Sequence, residues 1–261
     1  MSSSTSSRRI RRRRPYFPPE RGGSARVYRA LAGFLRPFLN LIARRDWSGR
    51  DHIPARGPFI AVANHVTAYD PLVVAHFLYD TGRPPTILAK SGLFKVPVLG
   101  WVLRKTGQVP VYRGTATARA ALDAGRAALD SNNCVLLYPE GTLTKDPQLW
   151  PMLGKTGAAR LALMTSAPVI PVAQWGAQAV LPPKSKLLRI LPRKTVHVVA
   201  GPPIELDDLR AKATAAGAPS SEDLRAATNR IMAHLTQMVA HLRGEEPPEG
   251  LWDTRRGERV K

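Results

Sequence analysis

The stretch Phe59-Ile60-Ala61-Val62-Ala63-Asn64-His65-Val66-Thr67-Ala68-Tyr69-Asp70-Pro71 decides how the whole chain is read. Its five unbroken apolar residues predict a strand buried on both faces. Pro71 then opens a helical pattern running to Tyr79, since proline suits the first turn of a helix. Strand, short polar turn and helix together put Asn64, His65 and Asp70 at a strand's carboxyl end, the edge at which α/β sheets take ligands. Working outward, apolar runs at 86–89, 108–111, 134–138, 169–173 and 195–200 read as further strands, and 117–129 and 157–165 carry Ala and Leu at helical intervals. Such alternation predicts an α/β fold with a largely parallel sheet. Near the end, Leu224, Ala227, Ile231, Leu235, Met238 and Leu242 mark one helix face behind Ser220-Ser221-Glu222-Asp223, a helix-start signal.

At 261 residues, 44% hydrophobic and 22% charged, the chain can bury one sizeable core. Its 39 Lys and Arg against 19 Asp and Glu leave +20, and the first 45 residues contribute 12 Arg − 1 Glu = +11 of it. Residues 1–25, with Ser repeats, an Arg block and several Pro and Gly, read as a disordered arm. Residues 26–45 read as an amphipathic segment: Val27, Leu31, Phe34, Leu35, Phe38, Leu39 and Ile42 recur at helical spacing, with Arg26, Arg29, Arg36, Arg44 and Arg45 among them and Pro37 expected to kink the helix. A basic segment of this kind lies in the headgroup plane of an anionic membrane. Its plainer alternative is a helix that packs its apolar face on the domain. Residues 46–243 form the folded domain and 244–261 a flexible tail.

No uncharged apolar run reaches the roughly 20 residues of a spanning helix, and the N-terminus lacks a signal-peptide pattern. The expectation is a peripheral protein at the cytoplasmic face of the cell membrane. The Arg8–Arg14 run could neutralise nucleic-acid phosphates, but no recognised module stands behind it, so no specific nucleic acid is expected. A single cysteine, Cys134, excludes an internal disulfide framework and a Cys/His metal cluster.

Four blocks carry the chemistry. In Asn64–Asp70 the carboxylate can fold back onto one ring nitrogen of His65, leaving the other facing the cleft as a base. Such a base can deprotonate a hydroxyl attacking an activated acyl carbon, with Asp70 fixing the tautomer. By itself this spacing also arises from a loop His beside a helix-capping Asp. The second block places Lys90 and Arg113 after the strands at 86–89 and 108–111, on the same rim, and two cations beside a base suit a phosphorylated acceptor. In a chain with 39 basic residues some will fall at strand ends by chance. The third, Tyr138-Pro139-Glu140-Gly141-Thr142-Leu143-Thr144-Lys145, holds an acid in a turn, able to orient a polyol hydroxyl or simply solvated. The fourth, Ala167-Pro168-Val169-Ile170-Pro171-Val172, contributes shape, and its Pro171 argues against a regular central strand. A long apolar stretch, Phe94 and Val96–Leu103, suits an acyl tunnel, a membrane-dipping surface or ordinary core.

In this order and spacing the four blocks resemble the 1-acyl-sn-glycerol-3-phosphate acyltransferase family, over about residues 43–203. Asn64, His65 and Asp70 fit its Asn-His-x-x-x-x-Asp motif, and Lys90, Leu93, Gly100 and Arg113 its second. The resemblance implies a glycerol-3-phosphate acyltransferase-like single domain, with a mixed, mostly parallel seven-stranded sheet flanked by helices. It implies an acyl-CoA or acyl carrier protein thioester as donor, the sn-2 hydroxyl of lysophosphatidic acid as acceptor, phosphatidic acid as product, and no metal or further cofactor. It makes His65 the general base and Asp70 its partner. Lys90 and Arg113 hold the phosphate, and Asn64, Glu140, Gly141 and Thr142 line the substrate site. One departure stands out: the family's Glu-Gly-Thr-Arg reads Glu140-Gly141-Thr142-Leu143 here. Losing that phosphate-binding Arg costs about 1.5–3 kcal/mol unless Lys145 or Lys155 reaches in, so another lysophospholipid or lipid alcohol stays open as acceptor. Two other readings compete: a non-catalytic basic protein that binds membrane or nucleic acid, and a hydrolase in which His65 and Asp70 activate water on a thioester.

Overall fold

The computed structural model describes residues 23–111 and 115–260. In chain order the elements are α1 (Ala25–Ile42), β1 (Ala43–Ser48), β2 (Phe59–Ala63), α2 (Asp70–Asp80), β3 (Pro85–Lys90), α3 (Pro97–Lys105), β4 (Val109–Val111), α4 (Thr115–Asp130), β5 (Cys134–Leu137), α5 (Gly157–Leu163), β6 (Val169–Trp175), α6 (Ala177–Val180), β7 (Lys194–Ala200), α7 (Asp207–Ala215), α8 (Ser221–Arg243), β8 (Leu251–Asp253) and β9 (Glu258–Val260). Strands β1–β7 form one sheet in the order β1-β7-β6-β2-β5-β3-β4. All neighbours run parallel except β6 and β7. The fold is therefore a mixed, mostly parallel α/β sheet flanked by helices.

Strand β2 is buried along its whole length because it feeds two cores. Phe59, Ala61 and Ala63 point to the face covered by α1 and α2, where Leu39, Ile42, Val73, Val74, Phe77 and Leu78 pack. Ile60 and Val62 point to the opposite face, against residues of α5, α7 and α8. That alternation is the period of a strand, with each face given its own apolar cover. At the amino edge Arg83 gathers the carbonyls of Pro54 (2.9 Å), Gly57 (2.5 Å) and Asn132 (3.1 Å) and lies over the Phe59 ring. One buried cation thus staples the loops entering the strands. Helix α8 begins with a capping box, the Ser220 hydroxyl accepting from Asp223 N–H while the Asp223 carboxylate accepts from Ser220 N–H.

Several expectations are corrected. The amphipathic segment is helical only to Ile42; Arg44 and Arg45 belong to β1, an edge strand that pairs with β7 alone. Its charged, exposed residues suit an edge, where they discourage further pairing. Helix α1 continues through Pro37. It follows the plainer reading on one side, since Tyr28, Ala32, Leu39 and Ile42 are buried, yet Phe34, Phe38 and Leu41 form a second, exposed apolar stripe. Pro171 does sit in a central strand. The register Val172↔Ala200 sets it opposite Gly201, just past the end of β7, so its missing N–H interrupts no ladder, and its carbonyl accepts from Gly201 N–H at 2.9 Å. The tail carries the β8–β9 hairpin, anchored where Met152 bridges Trp252 and where Arg259 meets the buried Asp146 at 2.6 Å. The stretch 96–103 is not core, for Val96, Val98, Leu99 and Trp101 are exposed. Residues 1–22 and Arg113 lie outside the described residues, so the arm and that phosphate-binding assignment carry no structural account here.

Candidate active site

Strands β2, β3, β4, β5 and β6 share one direction, which brings the segments after them to a single carboxyl edge. His65 and Glu140 follow β2 and β5 and meet at that edge, and Lys90, the last residue of β3, lies along the same edge. Beyond Ala63 the Asn64 side chain takes over from the backbone ladder. Its Nδ2 donates to the Gln174 carbonyl at 3.0 Å and its Oδ1 accepts from Gln174 N–H at 2.9 Å. Asn64 was expected to line the substrate site, but both ends of its amide are consumed in tying β2 to β6.

His65 is then set by two carboxylates. Asp70, fully buried at the start of α2, accepts at one oxygen, Oδ2, from the ring Nδ1–H of His65 (3.0 Å), Val66 N–H (2.5 Å) and Thr67 N–H (2.8 Å). The two backbone donors require an acceptor there, so Nδ1 carries the proton and Nε2 the free lone pair. Burial pushes the Asp70 carboxyl above its ordinary value, and the His65 ring and the two N–H groups hold it back. Glu140 accepts from His65 backbone N–H at 2.9 Å through Oε1 and from Met152 N–H at 3.1 Å through Oε2. Burial pushes its carboxyl up to about 8. Expected to orient a substrate hydroxyl, Glu140 instead spends both oxygens on the protein's own backbone, as a positioning residue. Met152 is supported in turn by the tail hairpin, since the next residue, Leu153, donates its N–H to the Trp252 carbonyl at 3.1 Å.

The His65 ring stacks on Tyr138, centroids 4.2 Å apart and planes at 28°. Nothing in the sequence marks Tyr138 for this part, since an aromatic at a strand end carries no signal of what it stacks on. Burial lifts the Tyr138 hydroxyl well above its ordinary value, so it stays protonated. Gln174, the anchor of Asn64, lies just past the fourth block and was likewise unmarked. The His65 side chain keeps 16% of its surface open, and it is the part of the dyad that solvent reaches.

The turn after β5 is closed by Gly141 N–H donating to the Tyr138 carbonyl at 2.9 Å, with Gly141 at φ +67. Lys155 lies directly over it: a Cβ on Gly141 would stand 2.9 Å from Lys155 Nζ. Its backbone N–H is held by the Pro139 carbonyl at 2.8 Å. Of the two lysines able to compensate for Leu143, Lys155 is the one set on the Glu140-Gly141-Thr142 turn. Lys145 is exposed, its N–H on Met152 Sδ at 3.0 Å. Lys90 is exposed at the end of β3. Gly100 binds nothing in this arrangement; it lets α3 rest on the preceding turn, where a Cβ would meet the Phe94 carbonyl oxygen at 2.1 Å.

A family profile described as Acyltransferase matches residues 44–175, which hold the dyad, Lys90, Glu140 and Lys155. The 1-acyl-sn-glycerol-3-phosphate acyltransferase BAT2, chloroplastic, of Brassica napus is 30% identical over 165 residues, 62% of this chain and 45% of that protein. A 1-acyl-sn-glycerol-3-phosphate acyltransferase of Borreliella burgdorferi is 30% identical over 128 residues, 48% of each chain. The chain thus spans about half the length of these curated relatives. The crystal structure of the 1-acyl-sn-glycerophosphate acyltransferase PlsC from Thermotoga maritima superposes with a TM-score of 0.60 at 23% identity, covering 84% of this chain and 81% of that one, and so shares the fold. By its matched segment, its sheet and the His65–Asp70 pair at the carboxyl edge, the chain belongs to the acyltransferase family.

Proposed function

We propose that the protein moves a fatty acyl group from an acyl-CoA or acyl carrier protein thioester to the sn-2 hydroxyl of lysophosphatidic acid, giving phosphatidic acid. The observation that carries this reading is the bond from His65 Nδ1–H to Asp70 Oδ2, which leaves Nε2 as an oriented base at the ligand-binding edge. Nε2 takes the hydroxyl proton as the oxygen attacks the thioester carbonyl. The tetrahedral intermediate collapses by breaking the carbon–sulfur bond, and the imidazolium returns the proton to the departing thiolate. Asp70 stabilises the imidazolium between those two transfers. No serine or cysteine nucleophile and no cofactor beyond the thioester enters.

Lys90 and Lys155 supply charge for the acceptor phosphate. Lys155 over Gly141 supports a phosphorylated acceptor despite Leu143. Helix α1, with its exposed Phe34, Phe38 and Leu41 and its cations, supports peripheral attachment to an anionic membrane surface. Among the described residues no helix is long and apolar enough to cross a membrane.

The test incubates purified protein with palmitoyl-CoA and a series of acceptors, following thiol release and lipid product by mass spectrometry. Phosphatidic acid formed from lysophosphatidic acid is the expected result. Turnover only with other lysolipids would reassign the acceptor and make Leu143 its determinant. Free fatty acid without acceptor would favour the hydrolase, and silence with both thioester carriers the non-catalytic reading.

A further inference from the structure

The segment between α6 and β7 carries four large aliphatic side chains in water: Leu187 is 79% exposed, Leu191 80%, Ile190 46% and Leu188 40%. Around them stand Lys184, Lys186, Arg189, Arg193 and Lys194, and no acid occurs between Trp175 and Glu205. Large aliphatics at this exposure cost free energy in water and mark a surface meant to be covered.

The loop is built rather than loose. Ser185 N–H donates to the Pro182 carbonyl at 3.0 Å, Leu187 N–H to Ser185 Oγ at 3.0 Å, and Arg189 N–H to the Val180 carbonyl at 2.7 Å. Arg193 reaches across to the end of α1, its guanidinium on the carbonyls of Asn40 and Ala43, which places a cation at the negative end of that helix. The loop therefore adjoins the exposed stripe of α1 that ends in Leu41. It also stands on the side of the sheet that holds the site. The registers align Ala63 with Val172 and Val172 with Ala200, so Lys194–Val199 of β7 run past the end of β2. Where the loop leaves α6, the Leu181 carbonyl accepts from Thr67 Oγ1 at 2.6 Å, and Thr67 N–H is one of the donors to Asp70.

We infer that the 182–193 loop is a second membrane-inserting element, dipping its aliphatic side chains below the headgroups of an anionic bilayer beside α1 while its cations pair with lipid phosphates. This rests on the membrane-surface reading of α1 and deepens it. The carboxyl edge then faces the bilayer, so that a lysolipid can move from the membrane to His65 with its acyl chain still sheltered. Charge selects the occupant: aliphatics ringed by cations, without an acid, match an anionic lipid surface.

The full chain is tested by sedimentation with vesicles of equimolar phosphatidylglycerol and phosphatidylcholine. The combined Leu187→Ser, Leu188→Ser, Ile190→Ser and Leu191→Ser variant is expected to lose at least about tenfold in partitioning, with an unchanged melting temperature because these side chains support no core. A Phe34→Ser and Phe38→Ser variant tests α1 separately. Cys134 is the one cysteine and is buried. Leu191→Cys therefore accepts a polarity-sensitive dye, whose emission should shift to the blue on vesicles. Loop-variant partitioning equal to wild type, with the α1 variant weakened, would overturn the loop's role and leave the membrane reading standing. Wild type that stays in the supernatant would overturn both. Loss of self-association in the loop variant, with vesicle partitioning unchanged, would overturn it in favour of a second copy of the chain.

Discussion

Glu140 Oε1 accepts the backbone N–H of His65 at 2.9 Å, so the turn after β5 helps decide where the His65 imidazole on the turn after β2 can stand. Substituting Glu140→Gln sets an amide N–H against one of two backbone donors. Leaving a buried donor unmatched costs about 1–3 kcal/mol. The expected outcome is a lower kcat with a nearly unchanged KM for the acyl donor, seen in steady-state assays of thiol release.

The same carboxyl predicts a pH dependence of stability. Its pKa rises from 4.5 to about 8 on folding because of burial. Below the lower value both states hold the proton. Between the two, the unfolded chain has released it and the folded chain has not, so stability falls as pH rises through the window and levels off above it. Urea midpoints measured across the window should show this decline in wild type and a smaller one in Glu140→Gln.

Lys155 offers a test of how the chain manages without an arginine at position 143. Lys155→Ala should raise KM for lysophosphatidic acid by about ten- to a hundredfold, the loss of a hydrogen bond to a charged group. KM for a monoacylglycerol, which has no phosphate, should stay put. Leu143→Arg in the Lys155→Ala background should restore part of the affinity.

The tail hairpin braces the site through Trp252, which bridges Met152 and accepts from Leu153 N–H. Removing residues 251–261 frees the Met152 segment that holds Glu140 and takes Arg259 away from the buried Asp146, whose carboxylate loses that partner. A lower melting temperature together with a reduced kcat is expected; full activity would show that Met152 keeps its place unaided.

Much of this architecture was legible because buried parallel strands are apolar runs between turn residues, as in Phe59–Ala63 and Cys134–Leu137. Strand β1 escaped notice because an edge strand buries little, and Ala-Arg-Arg-Asp-Trp-Ser shows almost no alternation. The β8–β9 hairpin was missed for a similar reason: three-residue strands leave no period to detect. In the site, His65 and Asp70 could be paired from their spacing because a five-residue separation across one turn is local. The inward role of Glu140, the Gln174 anchor of Asn64 and the placing of Lys155 over Gly141 depend on contacts between distant segments, and spacing along the chain does not encode them. The Leu187–Leu191 loop was hidden by its own composition, since aliphatics mixed with cations read as core interrupted by charge until their exposure is seen.

Asp70→Asn should keep the fold of the turn, because the amide oxygen can take the place of Oδ2 before the Val66 and Thr67 N–H groups, while removing the negative charge that stabilises a His65 imidazolium. A fall in kcat of about 10²–10⁴ is expected, the usual worth of a general base, with KM for both substrates changing little. Equal loss in KM would point to a binding role instead.

The part proposed for His65 Nε2 as the base of acyl transfer is measured most directly by kcat for thiol release from palmitoyl-CoA with saturating lysophosphatidic acid, wild type beside His65→Ala. A loss of about 10²–10⁴ in kcat is expected, with vesicle binding and melting temperature retained. A His65→Ala protein that turns over at the wild-type rate would contradict it.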